Sequence, residues 1–199
     1  MHEFTRYAAP SPEAVADLVR ANPFALVVSG GDPPTATHTP VILPGATVED
    51  AVLLGHMARV NPQWRAFGSE VLVVFSGPHG YVSPTAYGYA PAVPTWNYAA
   101  VHVTGRVELI TDRAETLAVV EETVRVMESR RSPAWDMTSS RARFESLIDG
   151  VVAFRVHVRT VRGNFKLSQD MPADVRARVR TDLRAHRDEA IADLMAEHE

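Results

Sequence analysis

Two long stretches of this chain alternate apolar and polar residues, and such alternation assigns successive side chains to the two faces of a strand. From Asn97 to Ile110, Val101, Val103, Val107 and Leu109 share one face, and His102, Thr104, Arg106 and Glu108 the other. Val152, Phe154, Val156 and Val158 alternate in the same way with Arg155, His157 and Arg159. Strands buried on one face only belong to antiparallel sheets. Shorter strands are predicted over residues 24–29, 35–43, 51–54 and 70–76, giving about six in all. A helix starts at Ser11-Pro12-Glu13, where an N-cap precedes Pro and an acid, and Asn22-Pro23 stops it. A second starts at Asp112, with Glu115 completing a capping box, and runs to about Arg131. A third covers residues 141–148 and ends at Gly150. No β-α-β rhythm links these elements, so the expected architecture is mainly β with peripheral helices (α+β), an antiparallel barrel.

A length of 199 residues suits one buried core. Residues 1–171 are expected to form the barrel domain, and 172–199 a helical tail with Val175, Val179 and Leu183 as its apolar stripe. The net charge of −4 argues against generic nucleic-acid binding, which needs clustered cations. Cysteine is absent, which removes disulfides, thiolate metal sites and Cys nucleophiles. The N-terminal hexapeptide lacks the apolar core of a signal peptide, and no apolar run approaches the ~20 residues that cross a bilayer. No membrane association and a cytoplasmic location are expected.

Four polar clusters interrupt the apolar pattern. In Gly55-His56-Met57-Ala58-Arg59-Val60-Asn61-Pro62-Gln63-Trp64, an apolar strand runs into Asn61-Pro62, an N-cap followed by Pro at the first helical position. A helix N-terminus beside Arg59 suits a phosphate dianion; an ordinary strand-to-helix junction with a surface Arg reads equally well. The second cluster is Ala36-Thr37-His38-Thr39-Pro40, the third Val93-Pro94-Thr95-Trp96-Asn97-Tyr98, the fourth Asn164-Phe165-Lys166-Leu167-Ser168-Gln169. The third also reads as a core Trp at a strand start. Together the clusters suit a flat, polar-edged ligand carrying a phosphate. Residues 77–94, rich in Pro, Gly and Tyr, are expected to form a long loop that is functional or covers a partner, and 164–171 a polar loop. There is no Gly-x-Ser-x-Gly elbow, Walker loop or His-Glu-x-x-His, and the eight histidines show no metal-ligand spacing. The residues single out no catalytic group. His102 and His157 read as surface or interface residues.

Taken in order, Ala36-Thr37-His38, the 55–64 stretch, Gly77-Pro78-His79-Gly80-Tyr81-Val82-Ser83-Pro84, Pro94-Thr95-Trp96-Asn97-Tyr98 and Lys166-Leu167-Ser168-Gln169 resemble the PaiB-like family. These are FMN-binding proteins labelled negative transcriptional regulators. The resemblance implies an FMN-binding split β-barrel that forms a homodimer, with FMN in the cleft between subunits. It implies that His56, Met57, Ala58, Arg59, Asn61 and Gln63 surround the phosphate and ribityl chain. Thr37, His38, Thr39 and Pro40 would line the isoalloxazine. Trp96, Asn97, Lys166, Leu167, Ser168 and Gln169 would approach from either subunit. Asp170 stands where the family usually has Asn, and a carboxylate at the flavin edge would disfavour the anionic reduced form.

Three functions are compatible with that picture. The family label carries DNA-binding regulation, but no helix-turn-helix with a basic recognition helix is present. The tail arginines 176, 178, 180, 184 and 187 interleave with acids, which makes a solvated face. Flavin-dependent oxidoreduction, of the pyridoxamine-phosphate-oxidase-like class, is the second function, with His38, His79 or Tyr81 as candidate proton donors. The third keeps the barrel and exchanges the flavin for haem, with His38 or His56 as axial ligand, or for a deazaflavin.

Overall fold

The computed structural model describes residues 2, 4–49, 51–67 and 70–198; the sequence also predicts a loop over residues 44–50, and its end at Asp50, like Met1 and Glu3 of the N-terminal hexapeptide, lies outside them. Six strands, β1 (Phe24–Ser29), β2 (Thr35–Ile42), β3 (Val52–Ala58), β4 (Glu70–Val82), β5 (Thr95–Ile110) and β6 (Val151–Lys166), close into a barrel. Their order around it is β1-β2-β3-β6-β5-β4, and every pairing is antiparallel. The interior is filled by alternating residues, among them Val27, Val41, Leu53, Val73, Phe75, Val101, Val103, Phe154 and Val156.

Local chemistry sets the helix boundaries. In α1 (Pro12–Ala21) the Ser11 hydroxyl accepts from the Ala14 amide at 3.2 Å, and the Asn22 side chain donates to the Leu18 carbonyl at 2.8 Å. In α2 (Arg113–Glu128) the Asp112 carboxylate accepts from the Glu115 amide at 2.8 Å. This helix ends three residues before the expected limit and covers a small cluster of Ile110, Val119, Ala153 and Leu54 outside the barrel. The short α3 (Arg141–Leu147) buries none of its residues. The tail folds as two helices, α4 (Ala173–Ala185) and α5 (Glu189–Glu197), whose Val179, Leu183, Ile191 and Met195 join the main core.

Two predicted loops are shorter than expected. β4 continues through Gly77 and Pro78 to Val82, because a bulge between Ser76 and His79 takes up the irregularity. Pro lacks an amide for the ladder, and a bulge is where that lack is tolerated. Gly77 serves the same place, since a Cβ there would stand 3.0 Å from both the Ala99 carbonyl and Leu18. What remains loop is residues 88–94. Likewise Asn164, Phe165 and Lys166 are the end of β6, paired with Ala100, Ala99 and Tyr98.

Candidate functional site

The first group of predicted site residues lies where β2, β3 and the turn after β3 meet. That turn, Pro62–Ala66, is a five-residue 3-10 turn in place of the predicted helix. Pro62 has no amide, and the Gln63 amide donates to the Asn61 carboxamide at 3.0 Å. An anion therefore finds few free amides there, and the helix expected after Asn61-Pro62 is corrected to this 3-10 turn.

Strand parity divides this group between two faces. Thr39, Met57 and Gln63 are buried. The Thr39 hydroxyl donates to the His56 carbonyl, and Asn61 Nδ2 donates to the Thr37 hydroxyl at 2.8 Å. Gln63 Nε2 reaches the Val27 carbonyl at 2.9 Å and the Ser29 hydroxyl and Thr35 carbonyl at 3.2 Å. These polar groups are spent on joining β1, β2 and the 3-10 turn. His38, Pro40, His56 and Ala58 point outward. His38 stacks on Phe24, with centroids 5.5 Å apart and planes at 24°. His56 Nδ1 is buried with no hydrogen-bond partner, and burial holds this imidazole below the ordinary histidine range.

Arg59 is exposed but anchored. Its Nε donates to the Asp149 carbonyl at 2.7 Å and a terminal nitrogen to the Val151 carbonyl at 2.9 Å. The Trp64 indole donates to the Arg59 carbonyl at 2.9 Å. The Arg59 and Arg65 guanidiniums lie 5.9 Å and 5.3 Å from the Trp64 ring centroid. Two guanidiniums thus lie on one indole, and Arg65 is not among the residues expected at the site. The signal was available, since Arg65 directly follows Trp64, the last residue of the stretch marked for phosphate.

The second group occupies the other end of β6. Trp96 is 53% exposed, whereas Asn97 is fully buried. The core-Trp alternative is thereby reversed; continuing the parity of Val103 and Val101 back through Ala99 already places Asn97 inside. Asn97 Nδ2 donates to the Ser168 hydroxyl at 2.8 Å and to Met195 Sδ at 3.3 Å. Leu167 and Ser168 are buried, and Ser168 has φ +60°. Gln169 fastens the turn, accepting from the Leu167 amide at 2.7 Å and donating to the Phe165 carbonyl at 2.6 Å and the Arg6 carbonyl at 3.1 Å. Outside, Trp96 meets Tyr81 edge to face at 6.0 Å and His79 at 6.1 Å. Lys166 donates to the Thr95 hydroxyl and lies 5.6 Å from the Tyr7 ring centroid. Asp170 accepts from the Tyr7 hydroxyl at 2.8 Å, which ties its charge to the N-terminal segment.

The two groups sit at opposite ends of one strand. Ala58 pairs with Val151 and Tyr98 with Lys166, so β6 separates them by a contour of about 50 Å at ~3.3 Å per residue. Of the other histidines considered, His157 meets Glu108 at 2.8 Å, and His102 is half-buried with an unpartnered Nδ1. Among the described residues there is no metal-binding cluster, and no helix is long and apolar enough to cross a membrane.

Residues 1–160 match the family described as "Putative FMN-binding domain". The "Protease synthase and sporulation protein PAI 2" of Bacillus subtilis (strain 168) is 37% identical over 166 residues, which is 79% of this chain and 77% of that protein. Flavocytochrome Anf3 from Azotobacter vinelandii superposes with a TM-score of 0.60 and 18% identity, over 83% of this chain and 72% of that one. The FAD and heme binding protein from Mycobacterium smegmatis gives 0.57 and 17%, over 84% and 77%. At these identities the structural likeness bears on the fold, a split barrel with peripheral helices.

Proposed function

The chain belongs to the FMN-binding family matched over residues 1–160, and on that premise we propose that it works as a homodimeric flavoprotein whose two copies complete each FMN site. FMN is the cofactor of this family, and the residues present suit it. The Arg59 and Arg65 guanidiniums around Trp64 would take the phosphate, and the orphaned His56 Nδ1 awaits a polar group. His38 and Pro40 would border the ring system, with Trp96, Lys166 and the 167–169 turn supplied by the second copy. Bound FMN supplies electron or hydride transfer, while the protein binds, orients and screens it from water.

One observation carries the dimer: the two groups lie at opposite ends of β6, so one chain offers each flavin only part of its surroundings. The outer face of β1 and β4 supports it. There Leu26, Val28, Leu72 and Val74 are half-exposed, and Phe24 is 68% exposed. Of the two roles compatible with the family, redox catalysis is favoured over DNA binding. Arg178 and Arg184 of the tail are engaged by Asp174 and Asp193 at 2.9 Å and 2.7 Å. The deciding experiment combines light scattering, the visible spectrum and mass identification of the released cofactor, followed by anaerobic mixing with NADH and NADPH. A dimer carrying FMN that bleaches is expected. A colourless monomer overturns the reading, and specific operator retention in a gel shift without bleaching moves it to regulation.

A further inference from the structure

Beside the second group lies a cavity of about 330 Å³ that shares Lys166 and Ser168 with the proposed flavin surroundings and extends away from them to Tyr87, Tyr89 and Met171. One wall is Tyr87 and Tyr89, whose rings stack with centroids 5.7 Å apart and planes at 18°. The facing wall is the 166–171 segment, where the Tyr89 hydroxyl approaches Met171 Sδ at 3.9 Å. Tyr7 and Lys166 close the cavity, the ammonium lying against the Tyr7 ring and donating to the Thr95 hydroxyl.

The two charged groups that line this cavity, Asp170 and Lys166, balance formally but differ in their partners. Asp170 is engaged twice, by the Tyr7 hydroxyl at 2.8 Å and by the Arg6 guanidinium at 4.0 Å. Burial, and then the Asp170 carboxylate, push the Tyr7 phenol up, so it stays protonated and keeps donating. Lys166 has no such partner: among the described residues no carboxylate lies within ion-pair distance of its Nζ. It is also the only lysine in a chain of nineteen arginines. A compact ammonium at an aromatic wall accepts a single anionic group, while flat tyrosine faces accept a ring. The volume suits one ring or a fused pair with its acid group, at the small end of ligand cavities.

We propose that this cavity binds a planar aromatic anion, its ring against the exposed Tyr89, which Tyr87 backs from the core, and its carboxylate or phosphate on Lys166. Because Lys166 is also assigned to the flavin's surroundings, such a molecule would stand beside the flavin as its reaction partner. That role rests on the function proposed above; the binding does not.

The single lysine makes the test direct. Reductive methylation with isotope-labelled formaldehyde marks only Lys166 and the terminal amine and keeps both charges, so one NMR signal reports the cavity wall. Titration of the full chain as purified with benzoate and with phenyl phosphate is expected to shift the Lys166 methyl signal saturably. Benzamide and inorganic phosphate should each act about tenfold more weakly, the one lacking the charge and the other the ring. Tyr89→Ala, at an exposed loop position, should weaken the aromatic acids about fivefold. A response to benzoate alone or to phenyl phosphate alone identifies the acid group. A Lys166 signal that ignores both acids overturns the proposal, as does inorganic phosphate binding as well as phenyl phosphate. Colourless protein that still binds an aromatic acid defeats the flavin reading and leaves this one standing; flavin-loaded protein indifferent to both acids does the reverse.

Discussion

Gly55 and Phe154 face each other across β3 and β6 with no room for another carbon: a Cβ at position 55 would stand 2.4 Å from the Phe154 ring. Phe154 is fully buried in the barrel core and cannot retreat. Gly55→Ala is expected to cost about 2–3 kcal/mol, read as a lower urea midpoint at unchanged slope. This glycine stands in a stretch marked for phosphate, yet its own duty is packing. A second residue-scale consequence concerns pH. Burial holds His56 and His102 below the ordinary histidine range, so the folded state binds fewer protons than the unfolded chain. Their contribution is complete above about pH 6.5, the unfolded value, and is lost as pH falls below it. Melting temperatures should therefore fall between about pH 7.5 and pH 5, and less steeply in the His56→Gln, His102→Gln double variant. Equal slopes would show that these imidazoles take no part. Caps such as Ser11, Asn61 and Asp112 were legible in the sequence because their partners lie two or three residues away. The cavity bounded by Tyr7, Tyr87 and Lys166 was not, since its walls come from three distant segments.

At the scale of elements, the turn after β3 separates the functions of two arginines. The Pro62–Ala66 turn leaves the anion to side chains, and Arg59 is already fastened to the carbonyls of Asp149 and Val151. Arg65→Ala should lower FMN affinity about tenfold and leave riboflavin, which lacks the phosphate, nearly unaffected. Fluorescence titration with both flavins measures this, and an equal loss for both would relocate the phosphate. Arg59→Ala should in addition loosen residues 148–151, visible as faster amide exchange there. Sequence periodicity located all six strands but ended β4 and β6 too early. Gly77-Pro78 and Asn164 look like breakers by residue type, whereas a bulge and pairing to β5 absorb them. Residue preference describes local chain energetics; strand length here is decided by the neighbour across the ladder.

For the whole molecule, the proposed division of each flavin site between copies has an arithmetic signature. A variant defective in the first group, Arg65→Ala, and one defective in the second, Trp96→Ala, each bind flavin poorly alone. Unfolded together and refolded at equal amounts, they form heterodimers in which one site holds both defects and the other none. About a quarter of the wild-type flavin content should return; sites contained within single chains would return nothing beyond the two variants' average. The barrel class was legible from alternation alone, but its order was not, because β3 against β6 and β1 against β4 join segments far apart in sequence. That order has one more result. Each of the six strands has a hydrogen-bonded neighbour on both sides, yet the closure is partial: β2 meets β3 at Val41 and Ile42 alone, and β6 meets β3 only from Val151 to His157. An extended peptide or a templated aggregate therefore has only the short rows left unpaired by that closure to join, fewer than an open sheet would offer. Over the closed part of the barrel, recognition falls to side chains.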